Sequence, residues 1–187
     1  PIEHVEHHLC HARAVYHSFM NKSISGDSLI FTLDGAGDST CSSVTLVNEK
    51  GEWLKLAETP LKSSLGHIYS ATTKFLGMKV LEHEYKVMGL AAYSKENYSE
   101  KLYKNLFEKI IWLNEEDNLV FDSKLNTSHF YDYLAENAIG ERFDNLAGAV
   151  QILTEKIVCK WIKNGLVKHP VKNVFLSGGV FMNVKLN

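Results

Sequence analysis

The chain has 187 residues, 20 basic and 22 acidic side chains and a formal net charge of −2. Apolar residues make up 45 % and charged residues 22 %, an ordinary globular composition that excludes disorder, a collagen-like repeat and a disulfide scaffold. The near-neutral balance argues against nucleic-acid binding by bulk attraction, and no run approaches the roughly 18 apolar residues that span a bilayer. In chain order, residues 3–20 are expected to form a helix, because Val5, Leu9, Ala12, Val15, Tyr16 and Phe19 recur at helical spacing. A polar loop follows over 21–27. Ser28–Asp34 reads as a buried strand, a nearly continuous apolar run that ends in an acid. Gly35-Ala36-Gly37-Asp38 reads as a turn, and Cys41–Val47 and Trp53–Glu58 as two further strands joined by the hairpin signal Asn48–Gly51. Three consecutive antiparallel strands are therefore expected.

After Pro60 the pattern becomes helical: 66–76, 83–93, and 96–113 with Leu102, Leu106, Ile110 and Leu113 on one face. A short strand at 119–121 and a helix at 128–136 come next. The strongest periodicity lies in 145–164, where Leu146, Val150, Leu153, Ile157 and Trp161 form one stripe and Gly165 reads as a stop. Lys172–Leu176 reads as a strand, and Ser177-Gly178-Gly179 as the opening of a final helix. Strands first, helices next, then a strand–glycine turn–helix unit: the fold class is α/β. The chain starts at Pro1 without Met and stops at Asn187 inside a structured-looking segment, so it reads as a piece of a longer protein. No charged segment leads into an apolar one, which excludes a signal peptide pattern. Cys10, Cys41 and Cys159, odd in number and without a CxxC, suit the reducing cytoplasm.

Nine histidines are present, five of them within the first 17 residues. His4/His8 and His7/His11 have the i,i+4 spacing that puts two imidazoles on one helix face, where they can share a metal. Chance alone supplies about 0.4 such pairs in this composition, so two interleaved pairs exceed it. The alternative is a polar helix face with one or two core histidines, and a metal needs a third ligand. Asp34, at a strand end before Gly35 and Gly37, places a carboxylate and bare backbone N–H groups at a sheet rim, which suits a cation or a phosphate as well as a plain turn. Ser177-Gly178-Gly179 after a strand likewise suits an anionic ligand or an ordinary connection. Glu82 and Lys86 read as an i,i+4 pair on a solvated helix face.

Taken in order, His7-His8-Leu-Cys-His11-Ala, Leu33-Asp34-Gly-Ala-Gly-Asp38, Ser64-Leu-Gly66-His-Ile-Tyr69-Ser, Glu84-Tyr-Lys86-Val-Met-Gly89-Leu-Ala, Asn145-Leu-Ala-Gly-Ala-Val-Gln151 and Leu176-Ser-Gly-Gly179-Val-Phe-Met-Asn183 resemble the NodU/CmcH family of carbamoyltransferases from nodulation-factor and antibiotic biosynthesis. The resemblance covers nearly all of residues 1–187. It implies part of a domain like that of the tRNA threonylcarbamoyladenosine enzymes, on the actin-like ATPase (ribonuclease H-like) fold. It further implies an Fe(II)-type metal on His7, His11 and Asp34, and a nucleotide pocket at Gly178, Gly179 and Asn183 with Gly35 and Gly37 near the phosphates. The implied cofactors and substrates are a divalent metal, ATP and carbamoyl phosphate, with transfer through carbamoyl-adenylate to a hydroxyl of a sugar or antibiotic-like small molecule. No nucleic-acid or membrane partner is implied; the implied partners are the acceptor and the remaining domains of the same chain.

Two other readings stand beside this one: a tRNA threonylcarbamoyl transferase, and a non-catalytic nucleotide-binding module of the same fold. The sequence departs from the family at Ala91-Ala92-Tyr93-Ser94, where Ala-Pro-Tyr-Gly is usual. Lys86 and His8 receive no role. The family's first phosphate-binding hairpin is expected before Pro1, and a further metal-binding Asp and the carbamoyl-phosphate-processing domain after Asn187. The 187 residues alone are therefore expected to be inactive.

Overall fold

A computed structural model describes residues 3–19 and 25–187; most of the expected 21–27 loop, and residue 20 of the expected first helix, lie outside them. The sheet has the order β3-β2-β1-β6, with β1 (Ser28–Gly37), β2 (Thr40–Val47), β3 (Trp53–Pro60) and β6 (Asn173–Ser177). β1–β2 and β2–β3 are antiparallel, and β1–β6 is parallel. The fold is thus α/β with a mixed sheet, and the three consecutive antiparallel strands form as expected.

β1 is nearly continuously apolar from Leu29 to Leu33, interrupted by Thr32, because it is covered on both sides. Ile30 and the other outward positions of the sheet meet the helix α1 (His7–Ser18), whose Ala12, Val15 and Tyr16 pack on Ile30, Val47, Trp53 and Phe175. Leu29, Phe31 and Leu33 face the larger core on the opposite side. That core is organised by α6 (Phe143–Lys168), whose Trp161 packs edge-on against Phe31 and donates from Nε1 to the Leu119 carbonyl at 2.7 Å. Around it lie α2 (Leu65–Phe75), α3 (Glu84–Ala91), α4 (Glu96–Leu102), α5 (Phe130–Asn137) and a small hairpin of β4 (Ile111–Leu113) and β5 (Phe121–Ser123). Among the described residues no helix is long and apolar enough to cross a membrane.

Several expectations change. The first helix starts at His7, because the Glu6 carboxylate accepts from the His8 and Leu9 N–H groups and caps it there; Val5 is left exposed. β1 runs on through the glycines to Gly37, with a register shift after Leu33, so the expected turn at 35–38 is a bulged strand end. The expected 96–113 helix ends at Leu102, passes through a wide turn over Tyr103–Phe107, and gives way to β4. The apolar residues of its stripe are buried in any case, but the wide turn resets their phase. Gly165 does not stop α6: the helix continues to Lys168, and the glycine makes room for the Phe31 ring, 2.5 Å from where a Cβ would stand. After Gly178 there is a single tight turn over Gly179–Met182 in place of a helix. Glu82 precedes α3 and pairs with Lys79, so the expected Glu82/Lys86 pair does not form on a helix.

Candidate metal centre and adjoining cavity

α1 and β1 meet at the C-terminal ends of the parallel pair β1–β6, the place where α/β sheets bind ligands. On α1, His7 and His11 are one turn apart and face the same way, while His8 is rotated towards the sheet. His7 Nε2 and His11 Nε2 stand 3.1 Å apart. Both reach the same oxygen of Asp34, Oδ2, at 3.3 and 3.0 Å. Among the described residues, His7, His11 and Asp34 form the cluster able to hold a metal ion. Two donor atoms about 2.0–2.1 Å from one ion and about 90–110° apart stand roughly 2.9–3.4 Å from each other. The three observed separations fall in that range, and two imidazoles with one carboxylate is the donor set suited to Fe(II) with open positions. The residues present therefore fit a divalent metal.

Three features hold this triad in place. The His7 N–H donates to Asp38 Oδ2 at 2.9 Å, which ties the start of α1 to the β1–β2 corner. Gly37 leaves room for the His7 side chain; a Cβ there would stand 2.6 Å from His7 Cγ. The Gly35 N–H donates to Asp34 Oδ1 at 2.7 Å and leaves Oδ2 to the histidines. Burial pushes the Asp34 carboxyl up, but the Gly35 N–H and the two imidazoles outweigh it and hold the group below the usual carboxylate range. The Asp38 carboxyl is likewise held low, chiefly by the His7 N–H.

His8 is buried, with Nδ1 2.8 Å from Thr32 Oγ1, which in turn contacts Ser43 Oγ. Burial lowers its pKa. It anchors α1 to the sheet and is not part of the triad. His4 lies 3.6 Å from Asp38 Oδ1 and His17 stacks on Trp53, both away from the triad.

A cavity of about 700 Å³ opens beside Asp34, its wall including Gly35, His67, Glu84, Gly179 and Asn183. Its floor is set by close backbone packing. Gly66, in the first turn of α2, lies against Gly35; a Cβ would stand 2.6 Å from Gly35 Cα. Ser64 caps α2, accepting from the His67 N–H at 3.1 Å and donating to the Gly35 carbonyl at 2.6 Å. Gly178 has φ +109°, and a Cβ there would collide with the Leu33 carbonyl, so only glycine lets the chain turn this close to β1. Asn183 exchanges two hydrogen bonds with Gln151 of α6, at 2.8 and 3.1 Å, and Gln151 also accepts from the Tyr69 hydroxyl. Of the residues expected to hold a nucleotide, Gly35, Gly179 and Asn183 line the cavity. Gly37 lies against His7, and Gly178 against Leu33.

The family described as Carbamoyltransferase N-terminus matches residues 1–187. This chain belongs to that family. Among its relatives, the nodulation protein NolNO of Sinorhizobium fredii is 30 % identical over 191 residues, which cover 100 % of this chain and 26 % of NolNO. The nodulation protein NolO of Bradyrhizobium diazoefficiens is 33 % identical over 106 residues, 56 % of this chain and 18 % of NolO. An uncharacterized protein of Methanocaldococcus jannaschii is 32 % identical over 199 residues, 97 % of this chain and 31 % of its own length. The chain thus spans about a third or less of the length of these relatives.

Sequence reasoning passed over three groups that the structure brings to the site. Asp38 and His67 both stand inside motifs quoted for the family resemblance, yet neither spacing nor composition gave them a task. Glu6 is an uncommon helix cap, so its neighbours gave no boundary signal.

Proposed function

We propose that the full-length protein is an ATP-dependent O-carbamoyltransferase that forms carbamoyl-adenylate from carbamoyl phosphate and ATP, then passes the carbamoyl group to a hydroxyl of a small acceptor. The observation that carries this reading is the convergence of His7 and His11 on Asp34, which lines a cavity, in a chain of the carbamoyltransferase family. His7, His11 and Asp34 would hold an Fe(II)-type ion, which when bound supplies Lewis-acid polarisation of a carbonyl or phosphoryl oxygen. Gly35 and Gly179 line the cavity; Gly179 faces the Asp34 carboxylate, while at Gly35 an added Cβ would meet only His67 Cδ2 at 4.0 Å, which leaves room for a nucleotide phosphate to approach the backbone. Asn183, pinned by Gln151, offers a polar edge of fixed orientation. Two strands ending beside an acid and a Gly-Gly turn also support an actin-like ATPase fold, completed by the rest of the chain. The net charge of −2 favours a small acceptor over tRNA.

The test is direct. Full-length protein loaded with Fe(II) is incubated with carbamoyl phosphate, ATP and a panel of sugar and aminocyclitol hydroxyl compounds, and AMP and carbamoylated product are followed by mass spectrometry. The reading expects product with one acceptor, and loss of metal and product together in His7→Ala and His11→Ala. Metal-loaded protein that consumes no carbamoyl phosphate refutes it. The isolated 187 residues are expected to turn over none.

A further inference from the structure

The cavity wall holds acids but, among the described residues, no lysine or arginine: Asp34, Glu82 and Glu84 line it. Glu84 is partly committed, accepting from Ser70 Oγ at 3.0 Å and from the Leu81 N–H at 2.9 Å. Such a wall leaves uncharged donors to hold ligand oxygens. Most side-chain donors there are already engaged. The Tyr69 hydroxyl donates to Gln151, Ser70 to Glu84, and the Asn183 amide to Gln151. Tyr85 stands at the rim, 62 % exposed.

His67 is different. Its ring lines the cavity at the end next to Gly35, and its Nδ1 is buried without a partner. Buried polar atoms left unpaired in a protein are few, and each asks for a reason. A lone pair tolerates that isolation better than an N–H does, which puts the proton on Nε2. The ring also sits in the first turn of α2, where the positive end of the helix disfavours an imidazolium, and burial lowers its pKa in the same direction. The result is a neutral imidazole with one free N–H, beside the strand end that carries Asp34.

We propose that His67 is a catalytic residue of the transfer step, donating a hydrogen bond from Nε2 to the carbonyl oxygen of the carbamoyl group. This rests on the carbamoyl-transfer reading above. In the step, the acceptor hydroxyl oxygen bonds to the carbamoyl carbon and the bond from that carbon to the phosphate oxygen breaks. AMP leaves with the electron pair, and the acceptor proton passes to water. The carbonyl oxygen gains negative charge on the way, and a neutral donor stabilises it without giving up its proton. His67 keeps its proton throughout.

The experiment compares His67→Phe, His67→Gln and His67→Asn in the full-length protein. Phe fills the space without a donor, Gln places an amide N–H near Nε2, and Asn places one near Nδ1. His67→Phe is expected to lower kcat at least tenfold, with KM for ATP and carbamoyl phosphate within about threefold. Gln is expected to recover more kcat than Asn. Metal content and melting temperature, measured on every variant, report a merely structural role. If the Phe variant does not fold, the Gln-versus-Asn contrast decides. Equal kcat in wild type and Phe, or in Gln and Asn where Phe is unfolded, overturns the assignment while leaving the carbamoyltransferase reading intact. A wild type that transfers no carbamoyl group overturns that reading, and His67's role in the step with it.

Discussion

Replacing Gly37 by alanine tests whether the triad is held by long-range packing. The backbone at Gly37 is not in the left-handed region, so alanine brings no conformational strain there, and the effect isolates what its Cβ meets. That Cβ would stand 2.6 Å from His7 Cγ and 3.0 Å from His7 Cβ. Ordinary contact begins near 3.4 Å, so the His7 side chain must retreat by about 0.8 Å or more. Rotating the ring about its own axis does not help, because Cγ and Cβ lie on that axis. Ligand distances in a working site hold within about ±0.2 Å, so a 0.8 Å retreat takes His7 out of range. Changes in the groups that merely orient a ligand already cost about 10–100-fold in affinity. Gly37→Ala is therefore expected to weaken Fe(II) binding about 100-fold, equal to roughly 2.7 kcal/mol. The His7 side chain is 40 % exposed and can swing outward, so the metal-free melting temperature should move little. The assay is anaerobic competition against a chelator with full-length protein, alongside Gly35→Ala. There the Cβ meets only His67 Cδ2, at 4.0 Å, and Fe(II) affinity should stay as in wild type. Wild-type affinity in Gly37→Ala, or equal losses in both variants, refutes the reasoning.

Gly165→Ala is expected to destabilise by up to about 2.5 kcal/mol: overpacking against Phe31 costs about 1–3 kcal/mol, and the helical alanine returns about 0.5–1. Chemical denaturation measures it, and a more stable variant contradicts the packing. Gly89→Ala, inside α3 with nothing within 4 Å of the added methyl, is expected to stabilise by about 0.5–1 kcal/mol in the same assay; a loss would show an unseen constraint on that helix. Burial lowers the pKa of both His8 and His67, so the folded chain binds protons less readily than the unfolded one. Their contribution to stability is then complete above about pH 6.5 and falls away as pH drops below it. A melting temperature that stays level or rises from pH 7 to pH 5.5 would contradict this. Removing the Asp38 carboxylate (Asp38→Ala) should weaken metal binding about tenfold by freeing the His7 N–H, read by the same chelator competition; unchanged affinity would show that Glu6 alone places the helix.

The legible parts of the fold were those written locally. β1 declared itself by a nearly continuous apolar run, α6 by a stripe at steps of three and four, and the His7/His11 pair by one helical turn. Asp34 was readable only through the family resemblance, because a strand that ends in an acid and glycines suits a plain turn equally well. What escaped was decided at a distance. Gly165 looks like a stop because glycine so often ends helices, yet here it answers Phe31 on another element. Leu102, Leu106, Ile110 and Leu113 satisfy a helical period, but Ile111–Leu113 pairs with Phe121–Ser123, and periodicity cannot separate the two when a wide turn intervenes. Among the five early histidines, spacing offered two equal pairs; the family resemblance pointed to His7 and His11, and the sheet gives the physical reason by taking His8 into contact with Thr32.

The glycines of the site show why its chemistry is harder to read than its fold. A glycine before or after a strand suggests phosphate, since bare backbone is what phosphates approach. In this protein the same residues first answer the protein itself: Gly37 clears His7, Gly66 clears Gly35, and Gly178 clears Leu33. The close approach of α1, α2 and the Gly178 turn to one strand end is what brings two imidazoles to a carboxylate that lines the cavity, with the His67 ring in the same wall. A ligand there meets walls already fixed by backbone contacts. The order of causes therefore runs from packing to chemistry: substitutions at Gly37, Gly66 or Gly178 should act on ligand and metal through the positions of His7, Asp34 and His67, while Gly35, whose added methyl would touch only the His67 ring, is the glycine at which a change reports on the cavity itself.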